Sequence, residues 1–292
     1  MIIIPDIHGR DFWNVPAVIN HSGKEHILFL GDYLDPYPYE GINTALAFDN
    51  LLDIVQLKKE YPDKVTLLLG NHDLHYLHEP LFGGRFDRDH ALRNKEFFEK
   101  NAGLFQITLE AKIGGKKYLF SHAGVQREWA LNNLKFLGVY TPEQVPSLLN
   151  DLWQDSARRR TLFAVLSDIP YSRWGDSLYG SPVWNDVDDL DDSSAEFEGV
   201  YQIFGHTQQE VDPVIREHYA CLDCRRPFRL DDDGVLHDIM AEVAARAKRL
   251  QELIDKEPPA DMTEEEVNEL AVAECKAYRR EKADKEKGKT NE

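Results

Sequence analysis

Five short apolar runs along this chain each end in a glycine-flanked cluster of Asp, Asn or His residues. The runs are Met1–Pro5, His26–Leu30, Val65–Leu69, Lys117–Ser121 and Val200–Phe204. Short apolar runs that alternate with helical segments are typical of a sheet covered by helices. In such α/β folds the carboxyl ends of the strands form the ligand crevice, so we expect the five polar clusters to converge there.

The five polar clusters contain the residue types that bind transition metals. They read Asp6-Ile7-His8-Gly9, Gly31-Asp32-Tyr33-Leu34-Asp35, Gly70-Asn71-His72-Asp73, Ser121-His122-Ala123-Gly124 and Gly205-His206-Thr207. Carboxylates, an amide oxygen and several imidazoles suit Mn²⁺, Fe²⁺ or Zn²⁺ better than Ca²⁺ or Mg²⁺, which prefer oxygen ligands alone. The candidate metal ligands are Asp6, His8, Asp32, Asn71, His122 and His206.

These candidate ligands are too many for one catalytic ion that keeps an open position. They fit two divalent ions that lie about 3.5–4 Å apart and share a bridging carboxylate. This arrangement is used for in-line phosphoryl displacement. The sequence therefore predicts two divalent metal ions as cofactors in the crevice.

The rest of the chain predicts a mixed sheet with helices and a separate C-terminal segment. Apolar spacing indicates an amphipathic helix over Asn43–Tyr61, and the Thr-Pro-Glu-Gln that begins at Thr141 indicates another. Hairpins are expected to turn at 114–115 and 232–234. After about Asp238 the chain is rich in Ala, Glu, Lys and Arg, and Pro258-Pro259 interrupts it. We expect one domain at 1–237 and a helical extension at 238–292 with a frayed tail.

The charge of the chain argues against several classes of partner. It holds 34 Lys and Arg against 52 Asp and Glu, a net charge of −18 with neutral histidines. So acidic a surface repels nucleic-acid phosphates and offers anionic lipid no polybasic segment, so we expect neither nucleic acid nor membrane as a partner. The sequence shows no apolar stretch of about 18 residues, no secretory signal and no disulfide framework. We therefore expect a cytoplasmic protein.

In their order the five polar clusters resemble those of the calcineurin-like metallophosphoesterases, and among these the phosphoprotein phosphatase branch with its bacterial members. The resemblance covers roughly Met1 to Leu230 and includes Gly205-His206-Thr207-Gln208. It implies a mixed β-sheet sandwich flanked by helices, in four layers α/β/β/α. It also implies that 1–237 is the catalytic domain of a metal-dependent hydrolase. Such an enzyme cleaves phosphomonoesters by attack of a metal-bridging hydroxide and is nominally a serine/threonine protein phosphatase.

The resemblance also implies a role for each candidate residue. Asp6 and His8 would hold the first metal ion, and Asp32 would bridge the two ions. The second ion would take its remaining ligands from Asn71, His122 and His206. His72 would donate a proton to the leaving alkoxide or stabilise the leaving oxygen, and Asp35 would orient its imidazole.

One position departs from the phosphoprotein phosphatase pattern Gly-Asp-x-x-Asp-Arg, whose arginine clamps the substrate phosphate. Here Asp35 is followed by Pro36, which has no donor on its side chain or backbone nitrogen. Another cation must then hold the phosphate, or the substrate differs. The arginines in loops or insertions that could reach the crevice are Arg10, Arg85, Arg88, Arg127 and Arg173, and the substrate-binding prediction names Arg127, Arg173 and Arg10.

Two alternatives to a protein phosphatase stay open. The missing arginine and an acidic surface that would repel phosphoproteins favour a phosphohydrolase of small metabolites, nucleotides or dinucleoside polyphosphates. The other alternative is a non-catalytic metal-binding scaffold, whose acidic run from Asp186 to Glu198 and helical tail would bind a partner. By composition that run is expected to be a solvated surface loop.

Other residues with possible chemistry are better explained by packing. The histidines outside the polar clusters are expected at the surface or in packing: His21, His26, His75, His78, His90, His218 and His237. Cys221 and Cys224 form a lone Cys-x-x-Cys, which favours core cysteines over a zinc or redox site. Four aromatic residues either line a substrate groove or pack under insertions: Tyr37, Tyr39, Trp174 and Trp184.

Overall fold

Two β-sheets with flanking helices form the protein in a computed structural model, which describes residues 1–256 except 20, 22, 79–82, 139–140 and 192–196. The strands are β1 (Ile2–Ile4), β2 (Ile27–Phe29), β3 (Val65–Leu68), β4 (Phe105–Gln106), β5 (Thr108–Ile113), β6 (Lys116–Ser121), β7 (Val200–Phe204), β8 (Val214–Ile215), β9 (Tyr219–Cys221), β10 (Phe228–Leu230) and β11 (Leu236–Asp238). The helices are α1 (Pro16–Ile19), α2 (Thr44–Glu60), α3 (Asn71–Leu74), α4 (Ala91–Lys100), α5 (Arg127–Leu134), α6 (Val145–Gln154), α7 (Arg159–Leu166) and α8 (Ile239–Lys256). The predicted mixed α/β fold, with two sheets flanked by helices, is confirmed.

The first sheet has six strands in the order β11-β10-β1-β2-β3-β4. Strands β1 to β4 are parallel, with Ile2 opposite Ile27 and Leu28 opposite Thr66. β10 pairs antiparallel with β1, and β11 pairs antiparallel with β10. Every residue of β1 and β2 is buried, which is why these strands are continuous apolar runs in the sequence.

The second sheet has five strands in the order β5-β6-β7-β9-β8. Strands β6, β7 and β9 are parallel, and β5 and β8 lie antiparallel at the edges. The β5–β6 hairpin turns at Gly114 and Gly115, whose φ values of +55° and +81° suit glycine. Both predicted hairpins are present, since β10 and β11 are joined by the turn that contains Gly234.

The main hydrophobic core lies between the two sheets. Ile3, Leu28 and Leu68 of the first sheet belong to the same buried cluster as Phe120 and Ile203 of the second. Burial of each such side chain contributes about 1.5–3 kcal/mol to folding. Because this core holds β1, β2 and β3 against β6 and β7, the loops after these five strands meet at one edge.

The two predicted helices differ in how closely they match the structure. Helix α2 agrees with the expectation, and its N-cap is Asn43, whose side chain accepts a 2.8 Å hydrogen bond from the Leu46 N–H. The other begins as a 3₁₀ turn, Pro142–Gln144, and becomes an α-helix only at Val145. Pro146 explains the delay, because it has no N–H to bond the carbonyl four residues earlier.

The acidic run is more ordered than its composition suggested. Residues Val187–Leu190 form a 3₁₀ turn with Asp186 as its N-cap, and Val187 and Leu190 are buried. The expectation of a plain solvated loop is therefore wrong for this part, because apolar residues between the carboxylates anchor it. Residues 192–196 of the run lie outside the described residues.

The chain divides into two compact units, Met1–Asp238 and Ile239–Glu292. The second unit begins with α8, an 18-residue helix. The predicted break at Pro258-Pro259, the helix beyond it and the frayed tail lie outside the described residues. None of the described helices is long and apolar enough to cross a membrane.

Candidate metal centre and active site

The Asp32 carboxylate lies between two histidines that come from different sheets. Its Oδ2 is 3.5 Å from His8 Nε2, in the loop after β1, and 3.4 Å from His122 Nε2, directly after β6. Its Oδ1 accepts a 2.9 Å hydrogen bond from the backbone N–H of His72. All these side chains are buried. One carboxylate oxygen is thus shared by the two halves of the crevice.

Two further ligand candidates, Asn71 and His206, lie next to His122. Its Nε2 is 3.0 Å from Asn71 Oδ1 and 3.1 Å from His206 Nδ1. Donor atoms of Asp32, His122 and His206 all lie within 4.8 Å of one another, close enough to hold one metal ion. The loops after β2, β3, β6 and β7 therefore supply a compact set of nitrogen and oxygen donors.

The Asp6 carboxylate faces the same edge and is bound by the backbone at His206, whose N–H donates to both of its oxygens at 3.0 and 3.1 Å. Glycine at 205 makes this approach possible, because a Cβ there would lie 2.1 Å from Asp6 Oδ1. Gly70 plays the same part beside Asp32, where a Cβ would lie 2.1 Å from Oδ1. The glycines that flank the clusters leave room for the carboxylates.

Several site residues have strained backbone. His8, Asp32, Asp35 and His206 have φ values of +43°, +53°, +59° and +65°, in a region that costs a non-glycine residue about 1–3 kcal/mol. Asp73 helps to hold the strained loops, since its carboxylate accepts hydrogen bonds from the N–H groups of Asp32, Tyr33 and Gly70 at 2.8, 3.0 and 2.8 Å. The folded surroundings thus impose the positions of the ligand side chains.

Hydrogen bonds to backbone carbonyls hold Nδ1 of His8 and His122, so Nε2 of each ring faces the crevice. His8 Nδ1 lies 2.8 Å from the Leu34 carbonyl, and His122 Nδ1 lies 2.9 Å from the Leu30 carbonyl. A carbonyl accepts only, so Nδ1 of each ring carries a proton and Nε2 is the nitrogen that can bind a metal ion once it is unprotonated. His206 Nε2 is buried and has no hydrogen-bond partner among the described residues. The donor set therefore fits divalent metal ions.

The charges of the site are strongly perturbed in the protein without metal. Burial raises the pKa of Asp6 to about 6. Burial would also raise the pKa of Asp32, but His122 and His72 outweigh it and hold this pKa well below its usual value. Burial opposes the charged form of His122, yet Asp32 and Asp6 raise its pKa to about 10. A metal ion would have to displace these protons, as is usual for ligand carboxylates and imidazoles.

Asp35 is the centre of a second buried group beside the metal candidates. Its Oδ2 is 2.9 Å from His72 Nδ1 and 2.7 Å from His75 Nε2, and its Oδ1 accepts a hydrogen bond from the Tyr76 hydroxyl. Burial opposes ionisation of Asp35, but the bonds from His72 and His75 keep its pKa below the usual value. Asp35 is therefore a carboxylate that orients the His72 ring, with Nε2 directed away from it.

The sequence placed His75 among the surface or packing histidines, whereas the structure places it in this group. A signal was available, because His72 and His75 are three residues apart at the short helix α3 and so share one face. His72 also belongs to a potential metal-binding group with His8 and Asp32. Geometry alone thus allows His72 either a catalytic or a ligand role.

Two of the arginines predicted to bind substrate are engaged elsewhere. Arg10 forms an ion pair with Glu40, with Nε 2.9 Å from Oε2, and donates to the Asp6 carbonyl at 3.3 Å. Arg127 is exposed at the start of α5 and pairs with Glu128 at 3.2 Å. Among the described residues, Arg127 makes no hydrogen bond to a candidate metal ligand.

Arg173 contacts the residue that follows the candidate ligand His206. Its Nη2 donates to Thr207 Oγ1 at 2.6 Å, and its Nε is 2.6 Å from Asp186 Oδ2. Burial, followed by the charge of Arg173, lowers the pKa of His206 well below its usual value. Arg173 thus stands next to the second metal candidate group, but a carboxylate already neutralises it.

Arg85 enters the crevice although the substrate-binding prediction did not name it. Its Nε donates to the Asp35 carbonyl at 3.0 Å, and its guanidinium lies 3.7 Å from the centre of the Tyr37 ring. Its Nη2 is 3.2 Å from both His8 Nε2 and His72 Nε2. No apolar run or motif precedes Arg85, so the sequence offered no signal beyond its positive charge.

The predicted aromatic and cysteine residues lie in three places: at the site, at the surface and in the core. Tyr37 and Trp184 pack edge-on against His8 and His206, with ring centroids 5.2 and 5.8 Å apart. The other two of the four predicted aromatic residues, Tyr39 and Trp174, are exposed. Cys221 and Cys224, two of the three cysteines of the chain, are buried thiols, in agreement with the prediction of core cysteines.

Comparison with known proteins identifies the family of this fold and site. The family model for calcineurin-like phosphoesterases matches residues 1–210 of the chain. The chain belongs to the calcineurin-like phosphoesterase family. The match includes all five polar clusters, and it agrees with the resemblance inferred from their residues. The calcineurin-like fold accounts for the pair of sheets and for the ring of Asp, Asn and His residues at one edge.

Individual relatives of this calcineurin-like phosphoesterase are distant phosphatases. A serine/threonine-protein phosphatase of Caenorhabditis elegans is 28% identical over 165 residues, which cover 53% of this chain and 34% of the relative. The serine/threonine-protein phosphatase 6 catalytic subunit of Drosophila melanogaster is 23% identical over 205 residues, 69% of this chain and 55% of the relative. The chain thus spans about a third to about half of their length.

A solved structure gives a similarly distant match. The cold-active protein-tyrosine phosphatase of a psychrophilic Shewanella species aligns with a TM-score of 0.46 and 17% identity. The alignment covers 82% of this chain and 79% of that one. The family match over residues 1–210 assigns the chain to the phosphoesterases, and the activities in these names belong to the relatives.

Proposed function

We propose that this chain is a binuclear metal-dependent phosphomonoesterase. The observation that carries the proposal is the position of Asp32, whose Oδ2 lies 3.5 Å from His8 Nε2 and 3.4 Å from His122 Nε2. A carboxylate oxygen between two imidazole nitrogens, each with further donors behind it, suits the bridging ligand of a metal pair. The relatives support a phosphatase, and the geometry around Asp32 supports two ions rather than one.

In this proposal Asp6 and His8 hold the first ion and Asp32 bridges. The second ion takes its remaining ligands from Asn71, His122 and His206. The nitrogen and oxygen donors suit Mn²⁺, Fe²⁺ or Zn²⁺. Two such ions, when bound, would make water a stronger nucleophile near neutral pH and would offset charge on the phosphoryl oxygens.

The remaining chemical requirement is a proton for the leaving oxygen, and His72 can supply it. Its Nδ1 is 2.9 Å from the Asp35 carboxylate, and this hydrogen bond fixes the orientation of the ring. Its Nε2 is then the atom that can donate to a leaving alkoxide. Asp35 acts through His72 and is a positioning residue, with His75 and Tyr76 holding its carboxylate.

Removal of the metal ions is expected to stop hydrolysis of p-nitrophenyl phosphate, and Mn²⁺ is expected to restore it. Metal ions supply several kcal/mol of transition-state stabilisation, so the rate should fall by about 10³-fold or more, at 1.4 kcal/mol per tenfold. The protein is treated with a strong chelator, desalted and assayed after addition of Mn²⁺, with Ca²⁺ as the control ion that prefers oxygen ligands. Full activity in the chelator would contradict the proposal, and wild-type protein that binds Mn²⁺ without turnover would support the scaffold alternative.

We propose phosphoserine or phosphothreonine in protein as the substrate, supported by relatives that are named serine/threonine-protein phosphatases. A specific observation favours a second candidate, a small phosphorylated metabolite, nucleotide or dinucleoside polyphosphate: Pro36 stands where the phosphoprotein phosphatase pattern has an arginine. We expect kcat/KM on phosphopeptides to exceed kcat/KM on a metabolite panel by orders of magnitude. A higher kcat/KM on the metabolites than on the phosphopeptides would favour the small phosphorylated metabolite as the substrate instead.

A further inference from the structure

Position 36 lacks a cation, but both of its neighbours contact one. Pro36 has no side-chain donor and no N–H, while Asp35 and Tyr37 stand on either side of it. Arg85 donates from Nε to the Asp35 carbonyl at 3.0 Å and stacks on the Tyr37 ring, with 3.7 Å from the guanidinium to the ring centre. The charge of Arg85 is therefore held against the segment that would otherwise carry the arginine.

The Nη2 atom of this guanidinium points into the crevice. Nη2 is 3.2 Å from His8 Nε2 and 3.2 Å from His72 Nε2. The first nitrogen belongs to the proposed ligand set of one metal ion, and the second is the proposed proton donor. A phosphoryl group under attack must lie between the metal ions and that donor, so Nη2 faces the place where such a group binds.

Arg85 also differs from the three arginines that were predicted to bind substrate, because each of those forms an ion pair with a carboxylate. Arg10, Arg127 and Arg173 form ion pairs with Glu40, Glu128 and Asp186. Among the described residues, no carboxylate forms an ion pair with Arg85, and its contacts are a carbonyl oxygen, a ring face and two imidazole nitrogens. Its positive charge is thus left available for an anionic ligand.

We propose that Arg85 binds the phosphoryl group of the substrate and supplies the cation that position 36 lacks. The inference rests on the proposed phosphomonoesterase function. An ion that binds His8 Nε2 uses the lone pair that Nη2 faces, so the Nη2 donor is released to a phosphoryl oxygen. Guanidinium N–H groups match phosphate oxygens in pairs, which makes arginine suited to this contact.

The test compares Arg85→Ala and Arg85→Lys with Arg88→Ala, whose side chain belongs to the same segment and is exposed. Calorimetry measures the binding of inorganic phosphate to the Mn²⁺-loaded protein, and steady-state assays give KM and kcat for p-nitrophenyl phosphate. Arg85→Ala is expected to weaken phosphate binding by about 10- to 100-fold, the range for loss of a charge-assisted hydrogen bond. Arg85→Lys should fall between it and the wild type, and Arg88→Ala should match the wild type.

Mn²⁺ stoichiometry and thermal melting are measured on the same variants. Unchanged Mn²⁺ binding together with weaker phosphate binding supports the role of Arg85. If Arg85→Ala binds phosphate as tightly as the wild type, the proposed role of Arg85 is refuted. It is also refuted if Arg85→Ala loses Mn²⁺ and its phosphate binding falls only in proportion to the lost metal. If Arg85→Ala melts early, Arg85→Gln is measured in its place, since it keeps a donor without the charge.

The two proposals fail in different ways. A wild-type protein that binds phosphate through Arg85 but shows no Mn²⁺-dependent hydrolysis would refute the phosphomonoesterase and leave the phosphate site standing. A Mn²⁺-dependent enzyme whose phosphate affinity does not depend on Arg85 would refute the site and leave the enzyme standing.

Discussion

Replacement of His72 by asparagine is expected to lower kcat for phenyl phosphate by about 10²- to 10⁴-fold, the contribution typical of a positioned general acid. The physical reason is the loss of the proton that Nε2 would give to the leaving oxygen. Both Mn²⁺ ions should stay bound, because the proposed ligands do not include His72. Activity is measured with saturating phenyl phosphate, and metal content by elemental analysis of the same sample.

A second substrate makes the His72 prediction sharper. p-Nitrophenolate is a better leaving group than phenolate and needs less help from a proton, so His72→Asn should lose much less activity on p-nitrophenyl phosphate. His75→Asn is the matched control, because His75 contacts the same Asp35 oxygen at 2.7 Å but is not the proposed donor. Equal losses on both substrates, or release of a metal ion from His72→Asn, would show that His72 is a ligand or a structural residue instead.

Replacement of Asp32 by asparagine is expected to weaken Mn²⁺ binding at both sites together. Asp32 Oδ2 lies 3.5 Å from His8 Nε2 and 3.4 Å from His122 Nε2, and an amide loses the negative charge that two cations would share. Even outer residues of metal sites change affinity by about 10- to 100-fold, so a bridging ligand should cost at least about 100-fold. Hydrolysis should then fall to the level of the chelated wild type.

The stoichiometry of Mn²⁺ distinguishes a bridging role from an ordinary one. Calorimetric titration of the wild type should show two ions, Asp32→Asn should bind neither tightly, and His8→Asn should lose one and keep one. Asp53→Asn is the control, since Asp53 is an exposed carboxylate on α2. An Asp32→Asn protein that keeps one tight ion would refute the bridge.

Local pattern was sufficient to predict the five strands that precede the polar clusters, and the cluster after each of them. Runs such as Ile2–Ile4 and Ile27–Phe29 are apolar at every position because both of their faces are buried. The glycines at 70 and 205 were visible as neighbours of Asp, Asn and His, and the structure shows what they do, since a Cβ at either would lie 2.1 Å from a carboxylate oxygen. These features depend on a residue and its immediate neighbours.

Pairing between strands was not predictable in the same way. β1, β2 and β3 form one sheet, whereas β6 and β7 belong to the other, although all five runs look alike in the sequence. The choice of partner depends on contacts between distant segments, such as the cluster that joins Ile3 and Leu28 to Phe120. The apolar pattern of a strand indicates which of its faces are buried, but it does not indicate which other strand pairs with it.

The sequence by itself determined the chemistry of this protein: its carboxylates, imidazoles and amide, their order after apolar runs, and the proline at position 36. Only the tertiary structure decided which other side chains share the crevice. His75 reaches Asp35 across 40 residues of chain, and Arg85 reaches His8 across 77. The physical reason is that ligand type is a property of a single residue, whereas proximity results from the packing of two sheets whose loops meet at one edge.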